Sequence, residues 1–185
     1  MEIINIKAER VLIRKLAEGD AEDYFQIFGS PAVAKYDDFS PITREEADEN
    51  ITDIIKAYCN NSQEKEFGVE LQSEKKIIGV LYLKDWDDYI SIGYHFNEKY
   101  HGKGFAAEAV KSFIDYLEKN YSKEIRAIVD PLNEPSIKLL KKLSFVFIEE
   151  KKTKKEDNSI MTEYIYRRAE TGCCVPNDFM EQNNK

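Results

Sequence analysis

Two apolar rhythms alternate along the chain. Phe105, Ala106, Ala109, Val110, Phe113, Ile114 and Leu117 recur every three or four residues, the one-sided stripe of an amphipathic helix. They predict a helix from near Lys103 toward Asn120. Ala47, Ile51, Ile54, Ile55 and Tyr58 predict a second, opened by a capping box in which Thr43 is the N-cap and Glu46 stands three residues on. A shorter helix runs from Gly19-Asp20 to Phe28 and is ended by Gly29-Ser30-Pro31. A fourth carries Ile137, Leu139, Leu140 and Leu143. Asn133 caps it, and Pro135 falls in its first turn, where a missing N–H does little harm.

Between these helices lie runs rich in β-branched and aromatic residues. They predict strands at Arg10–Leu16, Glu66–Gln72, Ile77–Lys84, Tyr89–Asn97, Ile125–Asp130, Phe145–Glu149 and Met161–Arg167. The second to fourth form an antiparallel meander, and Ile125–Asp130 is apolar enough to be buried on both faces. Residues 151–159 (KKTKKEDNS) are expected to be a solvated charged loop, and residues 32–41 an irregular aromatic segment. The expected fold is α+β: one domain over residues 1–168, with a central, mostly antiparallel sheet of seven strands and about four helices. Residues 169–185 have no periodicity and read as an irregular tail.

Composition narrows the function. A formal net charge of −8, with 27 Lys and Arg against 35 Asp and Glu, argues against a nucleic-acid partner, which calls for a basic surface. No apolar run is long enough to span a membrane, and the N-terminal residues do not read as a secretory signal. Cys59, Cys173 and Cys174 suggest no disulfide framework, so the expected compartment is the cytoplasm. Neither His95 nor His101 has metal-ligand spacing to a cysteine, so no metal is expected.

The chemistry concentrates in Lys99–Val110, K-Y-H-G-K-G-F-A-A-E-A-V. A strand ends there in a turn with two glycines, and a helix follows. Unpaired N–H groups and the positive end of the helix dipole make that junction an anion site.

The element order and these residues resemble the GNAT superfamily of N-acetyltransferases. Within it, the likeness is to the branch acting on ribosomal-protein N-termini, the alanine N-acetyltransferase-like group. The superfamily signature, Gln/Arg-x-x-Gly-x-Gly/Ala, reads here Lys99-Tyr100-His101-Gly102-Lys103-Gly104. Lysine at its first position keeps the charge but loses the fork of donors. Downstream, Asn133-Glu134-Pro135-Ser136 and Leu140–Phe145 resemble the family's Asn-x-x-Ser helix start and Leu-Gly-Phe ending, with Ser144 in place of glycine.

The resemblance implies acetyl-CoA as cosubstrate, a splayed parallel pair formed by Tyr89–Asn97 and Ile125–Asp130, and a pantetheine arm lying in that splay. Backbone groups of His95 and Phe96 would bond the arm, and one N–H would polarise the thioester carbonyl. Gly102, Lys103, Gly104, Phe105 and Ala106 would cradle the pyrophosphate, with Lys99 adding charge. Asn133 would bond the arm and cap its helix. Ser136 would be the general acid and His95 the candidate base, with Glu70 and Tyr94 behind it. The acceptor is an amine: a protein N-terminus, a polyamine or an aminoglycoside, met by residues 32–41 and Trp86–Tyr89. A non-catalytic acyl-CoA-binding module on the same fold stays open, as does a homodimer.

Overall fold

The computed structural model describes residues 5–37, 39–60, 62–154, 158 and 160–169. Eight strands form one sheet: β1 (Ile6–Lys7), β2 (Val11–Arg14), β3 (Glu64–Leu71), β4 (Lys76–Asp85), β5 (Tyr89–Phe96), β6 (Glu124–Val129), β7 (Phe145–Lys154) and β8 (Ile160–Arg168), in the order β1-β2-β3-β4-β5-β6-β8-β7. Every neighbouring pair is antiparallel except β5 and β6, which run parallel. The helices are α1 (Ala21–Phe28), α2 (Pro31–Ala34), α3 (Arg44–Cys59), α4 (Phe105–Asn120) and α5 (Glu134–Lys142). The mixed fold is as expected. The two-residue β1 and one-turn α2 are additions, each too short to show a period.

The sheet separates two apolar clusters. On one face α1 and α3 bury Tyr24, Ile27, Phe28, Ala47, Ile51 and Ile54 against Leu16, Ile77 and Val80. On the other, α4 and α5 bury Val110, Phe113, Ile114, Leu117 and Leu140 against Phe67, Leu81, Ile92 and Phe96. The Thr43–Glu46 capping box is present in both directions, at 3.2 and 2.6 Å.

Residues 151–154 are strand rather than loop. Lys151 pairs with Glu163, Lys152 with Thr162 and Thr153 with Met161. Both faces of this hairpin meet solvent, so charged side chains cost the backbone ladder nothing. Of residues 155–159, only Asn158 is described. From residue 170 the expected tail, with Cys173 and Cys174, lies outside the described residues.

Ser144, just after α5, has φ +59°, the left-handed conformation that glycine adopts freely at a helix C-terminus. Its N–H donates to the Lys141 carbonyl oxygen, and its own carbonyl accepts from Ala169. The position keeps a glycine geometry without a glycine. Ser144→Gly is therefore expected to stabilise the protein by about 0.5–1 kcal/mol, read as a rise in denaturant midpoint with unchanged slope.

Candidate active site

The parallel pairing of β5 with β6 stops early. Its registered pairs are Tyr89 with Glu124, Ile90 with Ile125, Ser91 with Arg126 and Ile92 with Ala127. Beyond Ile92, β5 stays with β4 as far as Phe96, while β6 stays with β8 as far as Val129. The two strands part company and leave a gap. Which backbone groups face it follows from alternation along the strand. Trp86 donates to the Tyr89 carbonyl and Asn97 donates to the Ile78 carbonyl, so odd-numbered residues of β5 pair with β4. The N–H and C=O groups of Tyr94 and Phe96 therefore point into the gap. This corrects one expectation: the backbone of His95 is directed to Val80 of β4, and Tyr94 takes the place assigned to it. Phe96 stands where expected, and its carbonyl accepts from His101 Nε2 at 2.9 Å.

At the end of β5 the chain turns through buried Asn97 and a short 3-10 turn, Glu98–Tyr100, into Gly102 (φ +73°) and Gly104 (φ +82°). Gly104 is the N-cap of α4, and no side chain caps that helix. The first N–H to find a helical carbonyl is that of Glu108, bonded to Gly104. The N–H groups of Phe105, Ala106 and Ala107 are left over at the positive end of a 16-residue helix. Two left-handed glycines curl the preceding backbone around the same point. Gly102, Lys103, Gly104, Phe105 and Ala106 thus form one concave surface, and the chain just before it includes Lys99.

On the α4/α5 face of the gap, Tyr94 Oη lies 2.8 Å from Ser136 Oγ. Ser136 is in the first turn of α5, and its N–H donates to Asn133 Oδ1 at 3.2 Å. The Asn133 amide nitrogen has no hydrogen-bond partner among the described residues, so capping uses only one end of the side chain. Burial pushes the Tyr94 hydroxyl up to about 12, against the opposing hydrogen bond from Ser136. It keeps its proton through the physiological range.

The opposite face carries a different set. His95 lies among Phe28, Phe39 and Tyr82, with ring centroids 5.1, 5.7 and 6.1 Å away. Its Nε2 is 3.2 Å from Asp37 Oδ2, and its Nδ1 is buried without a partner. Tyr82 lies flat across Gly93. A Cβ there would fall 2.1 Å from the Tyr82 hydroxyl, so the strand needs glycine at the first position past the last parallel pair. Glu66 is the cross-strand neighbour of Tyr82 and accepts from Tyr24 Oη at 3.3 Å. Burial raises the pKa of Glu66 above the ordinary carboxyl range. Burial, then the charges of Asp37, Glu66 and Glu163, pushes the Tyr82 hydroxyl to about 12. This face gathers acidic and aromatic groups beside the gap.

Two further expectations are corrected. Glu70 is held by Arg14 at 2.6 Å, and Arg14 also grips Asp20 at 2.7 Å. That is a structural ion-pair group in which Glu70 is already engaged. The Trp86–Tyr89 turn closes the other end of β5, about 20 Å of strand from Phe96. Trp86 is occupied with Ser91 and Tyr89, and Asp85 with Lys123. Residues 32–41, by contrast, do reach the site through Asp37 and Phe39.

Glu66 and Tyr82 carry no sign of their own in the sequence that marks them as site residues. Glu66 alternates with apolar positions and so resembles a solvent-facing residue. The sign that could have exposed it is the two amphipathic helices, α1 and α3, which need a sheet face to cover.

Residues 10–146 match the family model described as acetyltransferase (GNAT) domain. The chain belongs to the GNAT acetyltransferase family and is an acyltransferase. An uncharacterized N-acetyltransferase, p20, of Bacillus licheniformis is 33% identical over 141 residues, spanning 74% of this chain and 79% of that protein. A GNAT-family acetyltransferase from Bacillus anthracis superposes with a TM-score of 0.79 at 29% identity, over 89% of this chain and 97% of that one. The fold is shared with a ribosomal L7/L12 alpha-N-protein acetyltransferase solved in complex with coenzyme A. There the TM-score is 0.76 at 14% identity, over 89% of this chain and 97% of that one.

Proposed function

We propose that this protein moves the acetyl group of acetyl-CoA directly onto a primary amine, with both substrates bound together and no covalent enzyme intermediate. The observation that carries this reading is the edge of β5 that β6 leaves beyond Ile92. The Tyr94 and Phe96 backbone groups run from the cradle at Gly102–Ala106 to the Tyr94–Ser136 pair. A pantetheine arm has amide groups to bond that edge, and the cradle offers N–H groups to its diphosphate. The solved neighbour holding coenzyme A supports the same donor.

In the reaction the amine nitrogen attacks the thioester carbon, the C–N bond forms and the C–S bond breaks. A gap-facing N–H of β5 stabilises the oxygen that gains charge. Ser136 faces the departing sulfur. Thiols titrate near 8.5, well below the Tyr94 hydroxyl at about 12, so full proton transfer from the tyrosine would run uphill. The Tyr94–Ser136 pair acts by donating a hydrogen bond to the thiolate.

The acceptor enters on the α1/α3 face, where Tyr82, His95, Asp37 and Glu66 suit a cationic amine. Its proton must leave before attack, and an α-amine near 7.7–8.0 gives it up more readily than a lysine-type amine near 10.4. The His95–Asp37 pair, 3.2 Å apart, receives it through a water. The catalytic domain spans residues 1–168, and the cytoplasm is its compartment.

The test is thiol release from acetyl-CoA over a panel of peptide N-termini, polyamines and aminoglycosides, beside calorimetry of acetyl-CoA alone. Release with at least one amine class is expected. Tight acetyl-CoA binding with no release against any amine would replace the transferase reading by an acyl-CoA-binding one.

A further inference from the structure

We infer that Arg10, from the turn before β2, is a second arm of the cofactor cradle and bonds the diphosphate of acetyl-CoA. The inference rests on the cradle assignment above and adds a residue that lies about ninety positions away in sequence.

Arg10 is tied down at nearly every atom but one. Its N–H donates to Glu108 Oε1 at 2.6 Å, and its carbonyl accepts from Gln72. Its Nε donates to Glu108 Oε2 at 2.7 Å, and Nη1 donates to the Lys103 carbonyl oxygen at 3.1 Å. The guanidinium lies 4.6 Å above the Phe105 ring centre. These contacts reach three consecutive parts of the cradle: the loop at Lys103, the first residue of α4, and the carboxylate one turn in. The remaining nitrogen, Nη2, has no hydrogen-bond partner among the described residues. It sits 3.5 Å from where a Gly104 Cβ would be, at the rim of the left-handed turn.

A guanidinium held this firmly has lost its rotamer freedom before any ligand arrives, so a bond from Nη2 costs little further ordering. Against burial, which acts to raise it, the hydrogen bonds and charge of Arg10 hold Glu108 below the ordinary carboxyl range. It stays ionised and locks the arginine without competing for Nη2. A lone surface ion pair would not need four anchors.

The test compares Arg10→Met and Arg10→Lys with wild type on three donors, each over a concentration range that spans KM: acetyl-CoA, S-acetyl-dephospho-CoA and S-acetyl-pantetheine. The first two carry the diphosphate and the third lacks it. For Arg10→Met, kcat/KM is expected to fall about ten- to a hundredfold on both diphosphate donors, as for a lost charge-assisted hydrogen bond. The fall should lie in KM, and the loss on S-acetyl-pantetheine should be at least about tenfold smaller. Arg10→Lys keeps the charge without the fork and should recover only part of the loss.

Equal losses on all three donors would make Arg10 a structural residue and overturn the inference. A loss confined to acetyl-CoA would place the arginine at the 3′-phosphate instead and also overturn it. No loss on any donor would do the same. Thermal melts of both variants separate misfolding from lost contact. Gly104→Glu serves as the control on the underlying site. If it binds acetyl-CoA like wild type, the cradle assignment has failed. If it loses binding while Arg10→Met does not, the failure belongs to Arg10 alone.

Discussion

Gly104→Glu is expected to weaken acetyl-CoA binding at least about a hundredfold, a loss of roughly 2.7 kcal/mol. Three effects act together. The residue has φ +82°, and a side chain in the left-handed region costs about 1–2 kcal/mol. A carboxylate placed at the N-cap of α4 then occupies the surface where the diphosphate would lie and repels it. It also stands within reach of Arg10 Nη2, 3.5 Å from the new Cβ, and draws that donor away. Gly104→Ala isolates the first effect. Chain neighbours aside, no other atom lies within 4 Å of its added Cβ, so it should cost about 1–2 kcal/mol of stability with a much smaller loss of affinity. Calorimetric titration of both variants decides the matter. An affinity within threefold of wild type for the glutamate variant removes the cradle from the site.

Glu66→Gln should make the protein more stable and a poorer enzyme. Burial raises the pKa of the folded carboxyl above its unfolded value. For such a group the stability contribution is fully present below the unfolded pKa, near 4.3, and is lost as pH rises through the folded value. Wild type therefore carries a penalty at neutral pH that glutamine lacks. The melting temperature of the variant should exceed that of wild type at pH 8, and the difference should shrink toward pH 4. Glutamine still accepts from Tyr24, so the packing survives. The cationic acceptor loses its counter-charge, and kcat/KM for the amine should fall about tenfold or more while KM for acetyl-CoA holds. A pH-independent stability difference would contradict the raised pKa. Unchanged amine kinetics would remove Glu66 from the acceptor side.

The sequence was most informative where local chemistry decides structure. The α4 stripe, the Thr43 capping box, the Asn133 cap and the two glycines of the cradle each act within a few residues, and each is present. It was least informative where partners come from afar. The parity that turns Tyr94 and Phe96, and not His95, into the gap depends on β5 pairing with β4 from Trp86 to Asn97. No pattern within β5 states that. Residue Arg10 belongs to the cradle only because the β1–β2 turn packs against α4, a contact spanning 98 residues at Glu108. The charged hairpin at 151–154 gives no strand pattern in sequence, because strand formation there rests on the backbone ladder.

Among the described residues, the four pairs Tyr89–Glu124 to Ile92–Ala127 are all that join β1–β5 to β6–β8 as one sheet. The molecule is in that respect two half-sheets riveted at one end, with α4 as the strap between them. A bound arm lying along β5 would complete the seam as a substitute strand. On the proposed reading the cosubstrate would then serve as a removable structural member along β5.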